Sequence, residues 1–287
     1  MKVFLTGGAG MLGRSLRASW GGQHELVAPL RRELELLDFE ATRAAFRAAD
    51  PEVVVHAAAF TQVDEAERNP DAAFAGNAEV SANVARVCEE LDVPLIAMST
   101  DYVFSGQLNR PHHEWDPVGP PSVYGASKLA AEEAIRSHAP KHTIVRIAWL
   151  YGPGGPSLLH TLARLVAKST GPLPMVDDQL GNPTSCAVVA QALGHLLANP
   201  IPGVVHATCE GEATWYGFAQ EALRLLGSSA ELRPCTTDVF PRPAPRPANS
   251  RLDNRRLRLR GHPALPTWQD ALRDFVNDHG EELRNFD

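Results

Sequence analysis

The sequence is poor in cysteine, lysine and tyrosine, and it has no long apolar run and no excess of positive charge. Its four cysteines, Cys88, Cys186, Cys209 and Cys235, are widely scattered, with no Cys-x-x-Cys and no paired Cys/His spacing. That excludes a disulfide-built scaffold and a zinc site, and predicts reduced thiols and no bound metal. No stretch approaches the roughly 20 apolar residues that span a bilayer. Lys2 leads directly into Val3-Phe4-Leu5 and a glycine cluster, too short for an apolar targeting region. The expectation is a cytoplasmic protein that binds no membrane. Acids number 34 against 27 lysines and arginines, for a net charge of −7. That balance argues against a nucleic-acid partner, which needs broad positive surface. The positive charge is concentrated: between Arg233 and Arg260 eight arginines meet two acids, Asp238 and Asp253, a local +6 that leaves −13 elsewhere. A compact anion could still be held there.

What is present is a chain of 287 residues, 44% hydrophobic, long enough for one large domain or two intergrown ones with a real core. The first half alternates strand-like runs at 3–6, 25–28, 53–58, 95–99 and 143–149 with helical patterns at 11–20, 41–49, 72–91 and 124–138. The run Val53-Val54-Val55 suits a parallel strand buried on both faces. Strand–helix alternation predicts an α/β fold, a Rossmann-type doubly wound parallel sheet with ligands along its carboxyl edge. After Tyr151 the breaker cluster Gly152-Pro153-Gly154-Gly155-Pro156 changes the texture. Helical patterns follow at 158–168, 185–197, 215–226 and 268–278, with a short strand at 204–207. Alternating prolines make 241–247 an extended loop. Residues 1–150 are therefore expected to form the dinucleotide-binding domain, with segments around 184–209 returning to it. Residues 151–183 and 210–287 would form a smaller, partly interleaved C-terminal substrate-binding lobe.

The turn Thr6-Gly7-Gly8-Ala9-Gly10-Met11-Leu12-Gly13 follows a strand and opens a helix. Gly8, Gly10 and Gly13 satisfy G-x-G-x-x-G; Gly7, Gly10 and Gly13 equally satisfy G-x-x-G-x-x-G. Both patterns use glycine for a tight turn and for close backbone approach to a pyrophosphate, which the helix amino terminus then binds. Beyond the second strand the chain reads Leu30-Arg31-Arg32-Glu33, with no acid at the strand tip. Arg31 and Arg32 point to a 2′-phosphate and so to NADPH, with NADH as the alternative. Asp38, beside Phe39, is a candidate for the adenine edge.

Tyr124-Gly125-Ala126-Ser127-Lys128 places tyrosine and lysine four apart on one helix face. With only four of each in the chain, chance pairing is rare. The pair suits carbonyl reduction. Hydride addition builds charge on the carbonyl oxygen, which a tyrosine can protonate if a nearby ammonium lowers its pKa. The lysine can also hold the nicotinamide ribose. Ser99-Thr100-Asp101-Tyr102 lies at the carboxyl end of a strand. Thr100 is the choice to align the carbonyl, with Ser99 its rival, and Asp101 would accept from substrate hydroxyls.

These residues together resemble the extended short-chain dehydrogenase/reductase family, and within it the dTDP-4-dehydrorhamnose reductases, over nearly the full length. The resemblance rests on the stretch from His56-Ala57-Ala58-Ala59 to Glu67, similar to the family's segment after its fourth strand, on 99–104, on 124–128 and on 146–151. It rests also on Asp178-Gln179-Leu180-Gly181-Asn182-Pro183-Thr184 and Arg246-Pro247-Ala248-Asn249-Ser250-Arg251-Leu252. It implies NAD(P)H-dependent reduction of the C4 ketone of dTDP-4-dehydro-L-rhamnose to dTDP-L-rhamnose. By position, Gly10, Met11, Leu12, Asp38, Phe39 and Ala57 to Ala59 would contact cofactor, with Gly7, Gly13, Ser99, Tyr124 and Lys128 beside them. Tyr124 would be the proton donor and Lys128 its cofactor-binding partner. Thr100, Asp101 and Trp149 would contact the dTDP-sugar, joined by Thr61, Val63 and Arg246.

Two departures stand out. Some members form dimers around a magnesium ion held by glutamates, where this chain has Ser15 and Ala187. A monomer, or a homodimer not mediated by magnesium, is expected instead. The family more often has Asn-Phe in the substrate-bordering loop that here reads Gly154-Gly155-Pro156-Ser157. Two alternatives stay open. One is a sugar-nucleotide epimerase or dehydratase of the superfamily, disfavoured for the dehydratase because Tyr102, not an acid, follows Asp101. The other is a non-enzymatic partner like the regulatory subunit of methionine adenosyltransferase. In the basic segment, Arg242, Arg246 and Arg251 fall in the Pro-rich stretch, and their forks suit a pyrophosphate. Arg255 to Arg260 read as solvated charge, and Arg246 also as a builder of the substrate lobe.

Overall fold

The computed structural model describes residues 1–284. Its centre is a six-stranded, all-parallel sheet formed by β1 (Lys2–Thr6), β2 (Glu25–Val27), β3 (Val53–His56), β4 (Leu95–Thr100), β5 (His142–Ile147) and β6 (Gly203–His206). The spatial order is β6-β5-β4-β3-β1-β2. Strand direction of growth reverses between β1 and β3, which makes the crevice beyond their carboxyl ends the switch point. The helices are α1 (Met11–Trp20), α2 (Phe39–Ala49), α3 (Val80–Glu90), α4 (Val123–His138), α5 (Leu158–Lys168), α6 (Cys186–Ala198), α7 (Trp215–Leu226) and α8 (Trp268–Arg284), with shorter helical turns between.

The continuous apolar strands are buried on both faces, residue by residue. Val3, Leu5, Val53, Val55, Ile96, Met98, Val145 and Val205 join one core with α1, α5, α6, α7 and α8. Phe4, Val54, Leu95, Ala97 and Ile144 join a second core with α2 and α3. The period-two alternation thus feeds two hydrophobic layers, one on each side of the sheet.

Several boundaries differ from the sequence pattern. No strand forms between residues 28 and 53, so the His56-Ala57-Ala58-Ala59 stretch follows the third strand of this sheet. The helical pattern at 72–91 is Pro70–Phe74, a π-helical turn at Ala75–Glu79, then α3. β5 stops at Ile147, because Trp149 takes a left-handed backbone with φ of 45°. The last helix runs on to Arg284, since Val276, Gly280 and Leu283 continue its buried face. Among the described residues, no helix is long and apolar enough to cross a membrane.

In the C-terminal half, α6 packs on α1 and β6 completes the main sheet beside β5. The remaining strands are short pairs: Leu173–Val176 with Leu232–Cys235, Leu180–Gly181 with Ala213–Thr214, and Leu150–Tyr151 with Thr184–Ser185. These pairs carry the segments 177–182 and 237–252 across the carboxyl edge of β4 and β5. His112 bridges to Leu252, and the Leu108 and Arg110 carbonyls accept from Asn249 Nδ2.

Candidate active site

The glycine turn lies at the switch point. Gly7 has φ of 72°, and a Cβ there would come within 2.6 Å of the Ala58 amide nitrogen. A Cβ on Gly13 would collide with the Gly7 carbonyl. Gly7, Gly10 and Gly13 therefore carry the turn, and Gly8, whose Cβ would press on Ala28 Cβ at 2.9 Å, carries strand packing. Gly10 caps α1 without a side chain, and the first turn of α1 holds no acid. The helix amino terminus is thus open to an anion, as a dinucleotide phosphate requires. Leu12 is buried in the core, while Met11 is half-buried and packs against Gly152 and Gly155. The Gly154 loop leans on α1, where Arg14 bridges the Ala9 and Gly154 carbonyls.

Ala57 and Ala58 are half-buried beside Gly7, and Ala59 is exposed. Beneath them, His56 hydrogen-bonds Thr6 Oγ1 at 2.7 Å and Ser81 Oγ at 3.2 Å. Burial, reinforced by the Lys128 charge, pushes His56 down to about 3, so it is neutral. Arg31 and Arg32 are exposed past β2, loosely paired with Glu35 and Glu33. Asp38 is exposed and caps α2 by accepting from the Ala41 amide at 3.0 Å. Phe39 lies under the Arg86 guanidinium.

Three consecutive residues of β4 meet three residues of α4. The Met98 carbonyl accepts from Lys128 Nζ at 2.8 Å. Ser99 Oγ donates to Glu132 Oε1 at 2.6 Å, so its hydroxyl faces away from the carbonyl-aligning position. Thr100 lies beside the Tyr124 hydroxyl and donates to Asp101 Oδ1 at 2.9 Å. Of the two rivals, Thr100 is the one in contact with Tyr124. The amino end of α4 is held twice. Ser122 Oγ accepts from the Gly125 amide, and Glu67 Oε1 accepts from the Val123 amide at 2.8 Å. Gly125 is required because a Cβ there would strike the Tyr102 carbonyl.

The electrostatics differ from the sequence expectation in one respect. Burial pushes the Tyr124 phenol up, against the opposing pull of its Thr100 hydrogen bond, and the Lys128 ammonium is engaged by Met98. Lys128 is not among the causes of the Tyr124 shift, so the lowering by lysine expected from the sequence is not found. Burial lowers Lys128 to about 8, with Glu132 acting the other way. Burial also raises Asp101 to about 6, opposed by hydrogen bonds from Ser250 and Thr100.

Around this centre, Val63 packs with Phe60, Tyr102 and Tyr124, and Thr61 is exposed at the start of the same segment. Trp149 stacks on Trp215 with ring centroids 3.4 Å apart, over a Gly181 that has no room for a side chain. Arg246 pairs with Asp64 at 3.0 Å and Arg242 with the same carboxylate at 3.8 Å. Arg251 instead binds Glu212 and Asn249, which makes it a scaffold residue rather than a phosphate ligand. Arg256, expected to be solvated, is half-buried and donates to the Val204 and Pro202 carbonyls at the amino-terminal start of β6.

Sequence reasoning missed Glu132, Asn77 and Asp64. Asn77 sits in the π turn, exchanges hydrogen bonds with the Phe60 backbone and donates to Ser127 Oγ at 2.9 Å. It thereby ties the alanine stretch to α4, in keeping with the placement of π turns at functional sites. The signal for Glu132 was present: it lies four residues after Lys128, on the same helix face. Asp64 and Asn77 had no local signal, because their partners lie 182 and 50 residues away.

Among the described residues, no three His, Cys, Asp or Glu side chains gather as a metal site. Ser15 and Ala187 both line a cleft of about 640 Å³ between α1, α6 and α8, and neither can supply a carboxylate.

Comparison with known proteins places the whole chain in one family. Residues 1–280 match the model of the RmlD substrate binding domain. A dTDP-4-dehydrorhamnose reductase of Streptomyces griseus is 42% identical, covering 93% of this chain and 90% of that protein. A probable dTDP-4,6-dihydroxy-2-methyloxan-3-one 4-ketoreductase of Streptomyces antibioticus is 39% identical, covering 97% and 95%. The crystal structure of dTDP-4-dehydrorhamnose reductase from Bacillus anthracis in complex with NADP superposes with a TM-score of 0.94 at 29% identity, covering 96% of this chain and 99% of that one. With its parallel doubly wound sheet, its glycine turn and its Thr100, Tyr124 and Lys128 set, the chain belongs to the RmlD substrate binding domain family of the extended short-chain dehydrogenase/reductases.

Proposed function

We propose that this protein reduces the C4 ketone of dTDP-4-dehydro-L-rhamnose to dTDP-L-rhamnose with NADPH. The observation that carries the reading is the Thr100–Tyr124–Lys128 arrangement at the carboxyl end of β4, beside the glycine turn. The cradle fits a dinucleotide: Gly7 and Gly13 leave backbone where side chains would stand, and α1 opens without an acid or a side-chain cap. The names of the relatives support the substrate, and the NADP bound to the Bacillus anthracis protein supports the cofactor. Arg31 and Arg32 beyond β2 supply the charge that a 2′-phosphate needs.

NADPH, when bound, supplies the hydride. The chain's own residues do the rest. Thr100 donates a hydrogen bond to the ketone oxygen and aligns it. Tyr124, a phenol at neutral pH, gives its proton to that oxygen as charge develops. Lys128 orients the nicotinamide ribose. Asp101 accepts from sugar hydroxyls, Trp149 and Val63 wall the sugar, and Arg246 with Arg242 faces its diphosphate.

The test is NADPH absorbance with a panel of 4-keto sugar nucleotides. Consumption with the dTDP-linked 4-dehydrorhamnose ahead of other sugars is expected. Tightly retained NAD released on denaturation, with no NADPH consumed, would overturn the reading in favour of an epimerase.

A further inference from the structure

Glu132 is the most heavily engaged carboxylate in this centre, and the reduction itself does not need it. It is 1% exposed. Its Oε1 accepts from Ser99 Oγ at 2.6 Å and Arg146 Nε at 2.8 Å. Its Oε2 accepts from Arg146 Nη2 at 2.7 Å and Arg136 Nη2 at 2.6 Å. Ser99 and Arg146 are direct partners across β4 and β5. One carboxylate therefore clamps the catalytic helix to both strands at the level of Thr100. Lys128 stands one helical turn earlier on the same face and is 4% exposed.

We propose that Glu132 is a positioning residue: by clamping α4 onto β4 and β5 it aims Lys128 at the Met98 carbonyl and the cofactor beyond, and it serves as the buried counter-charge of that ammonium. The charges around the pair make this specific. From its own helix Glu132 faces Arg136, and from β5 Arg146, itself 2% exposed. From β3, His56 is near Lys128 but neutral, and His206 of β6, also held neutral by burial, lies beyond Arg146. The buried cations Lys128 and Arg146 thus share Glu132 as their one buried counter-ion among these groups. Neutralising it leaves two positive charges in a low-dielectric interior, and only the lysine can relieve the strain by losing its proton.

The experiment uses the full chain labelled with ¹³Cε-lysine. Four lysines give four NMR signals, and Lys128→Arg assigns the one of interest. In Glu132→Gln, which keeps the shape, the Lys128 midpoint should fall by about one pH unit, a tenfold change in its ammonium-to-amine ratio. The alkaline limb of the NADPH turnover profile should move with it. In Arg136→Gln, a half-exposed change that leaves the buried contacts in place, the midpoint should rise, by about twofold in the same ratio. If Glu132→Gln does not fold, the Arg136 variant decides by itself. An unmoved Lys128 midpoint in whichever variants fold, with a uniform loss of rate or none, would make Glu132 merely structural and overturn the proposal. The inference rests on the reductase reading, but the NMR midpoint needs no substrate, so the two fail separately.

Discussion

The tyrosine–lysine turn 124–128 and the arginine segment 233–260 are the two most unusual stretches of the sequence, and the structure uses them in opposite ways. The turn is short, and each of its polar side chains is committed within the site: Tyr124 to Thr100, Ser127 to Asn77, Lys128 to Met98. The arginine segment is long, and it disperses. Arg251 goes to Glu212, Arg256 to backbone carbonyls at the start of β6, and Arg258 to Asp253. Arg242 and Arg246 alone converge, on Asp64 beside the site. Density of charge in sequence therefore marked a scaffold with a small functional part. A spacing fixed by helix geometry marked the residues proposed to carry the chemistry.

The comparison can be broken at either end. Tyr124→Phe should lower kcat by about 10² to 10⁴ while NADPH affinity, followed by fluorescence, stays near wild type; near-wild-type turnover would remove Tyr124 as donor. Next is pH. Lys128 is lowered to about 8, so it is charged below that value and loses its proton as pH rises through it. Turnover should therefore fall on the alkaline side of about 8, and a profile flat through that region would separate Lys128 from the rate. Gly7→Ala should cost on the order of 1–3 kcal/mol, read as a loss of Tm, because φ of 72° and contact with Ala58 both oppose a side chain. Cofactor binding should weaken in parallel. In the arginine segment, Arg246→Ala should raise KM for the sugar nucleotide about tenfold with kcat little changed, as expected for loss of a charge-assisted contact. The smallest effect belongs to Arg258→Ala, whose half-exposed pair with Asp253 is worth less than about 1 kcal/mol and should leave KM unchanged. If Arg258→Ala moved KM as far as Arg246→Ala, the division of the segment would be wrong.

The doubly wound sheet was legible because its strands are buried on both faces and carry unbroken apolar runs, as at Val53 to Val55. The glycine turn and the Tyr124–Lys128 pair were legible as motifs because local geometry dictates their spacing, whereas Thr100 was picked out only by its place at a strand's carboxyl end. What stayed hidden depends on partners far along the chain. The π turn at Ala75–Glu79 exists around Asn77, whose partners are Phe60 and Ser127. β5 ended early because Trp149 turns onto Gly181 and Trp215. The Tyr124 pKa was anticipated in the wrong direction, because burial depth is a tertiary property that spacing does not encode.

The central claim is that Tyr124 delivers the proton in a hydride reduction at C4 of a dTDP-linked 4-dehydrorhamnose. It is tested most directly by mixing purified protein with NADPH and that sugar nucleotide and following absorbance and product together. The account predicts one NADPH oxidised per dTDP-L-rhamnose formed, with the rate collapsing in Tyr124→Phe. No NADPH consumption by the wild-type protein, or equal rates in the two proteins, would contradict it.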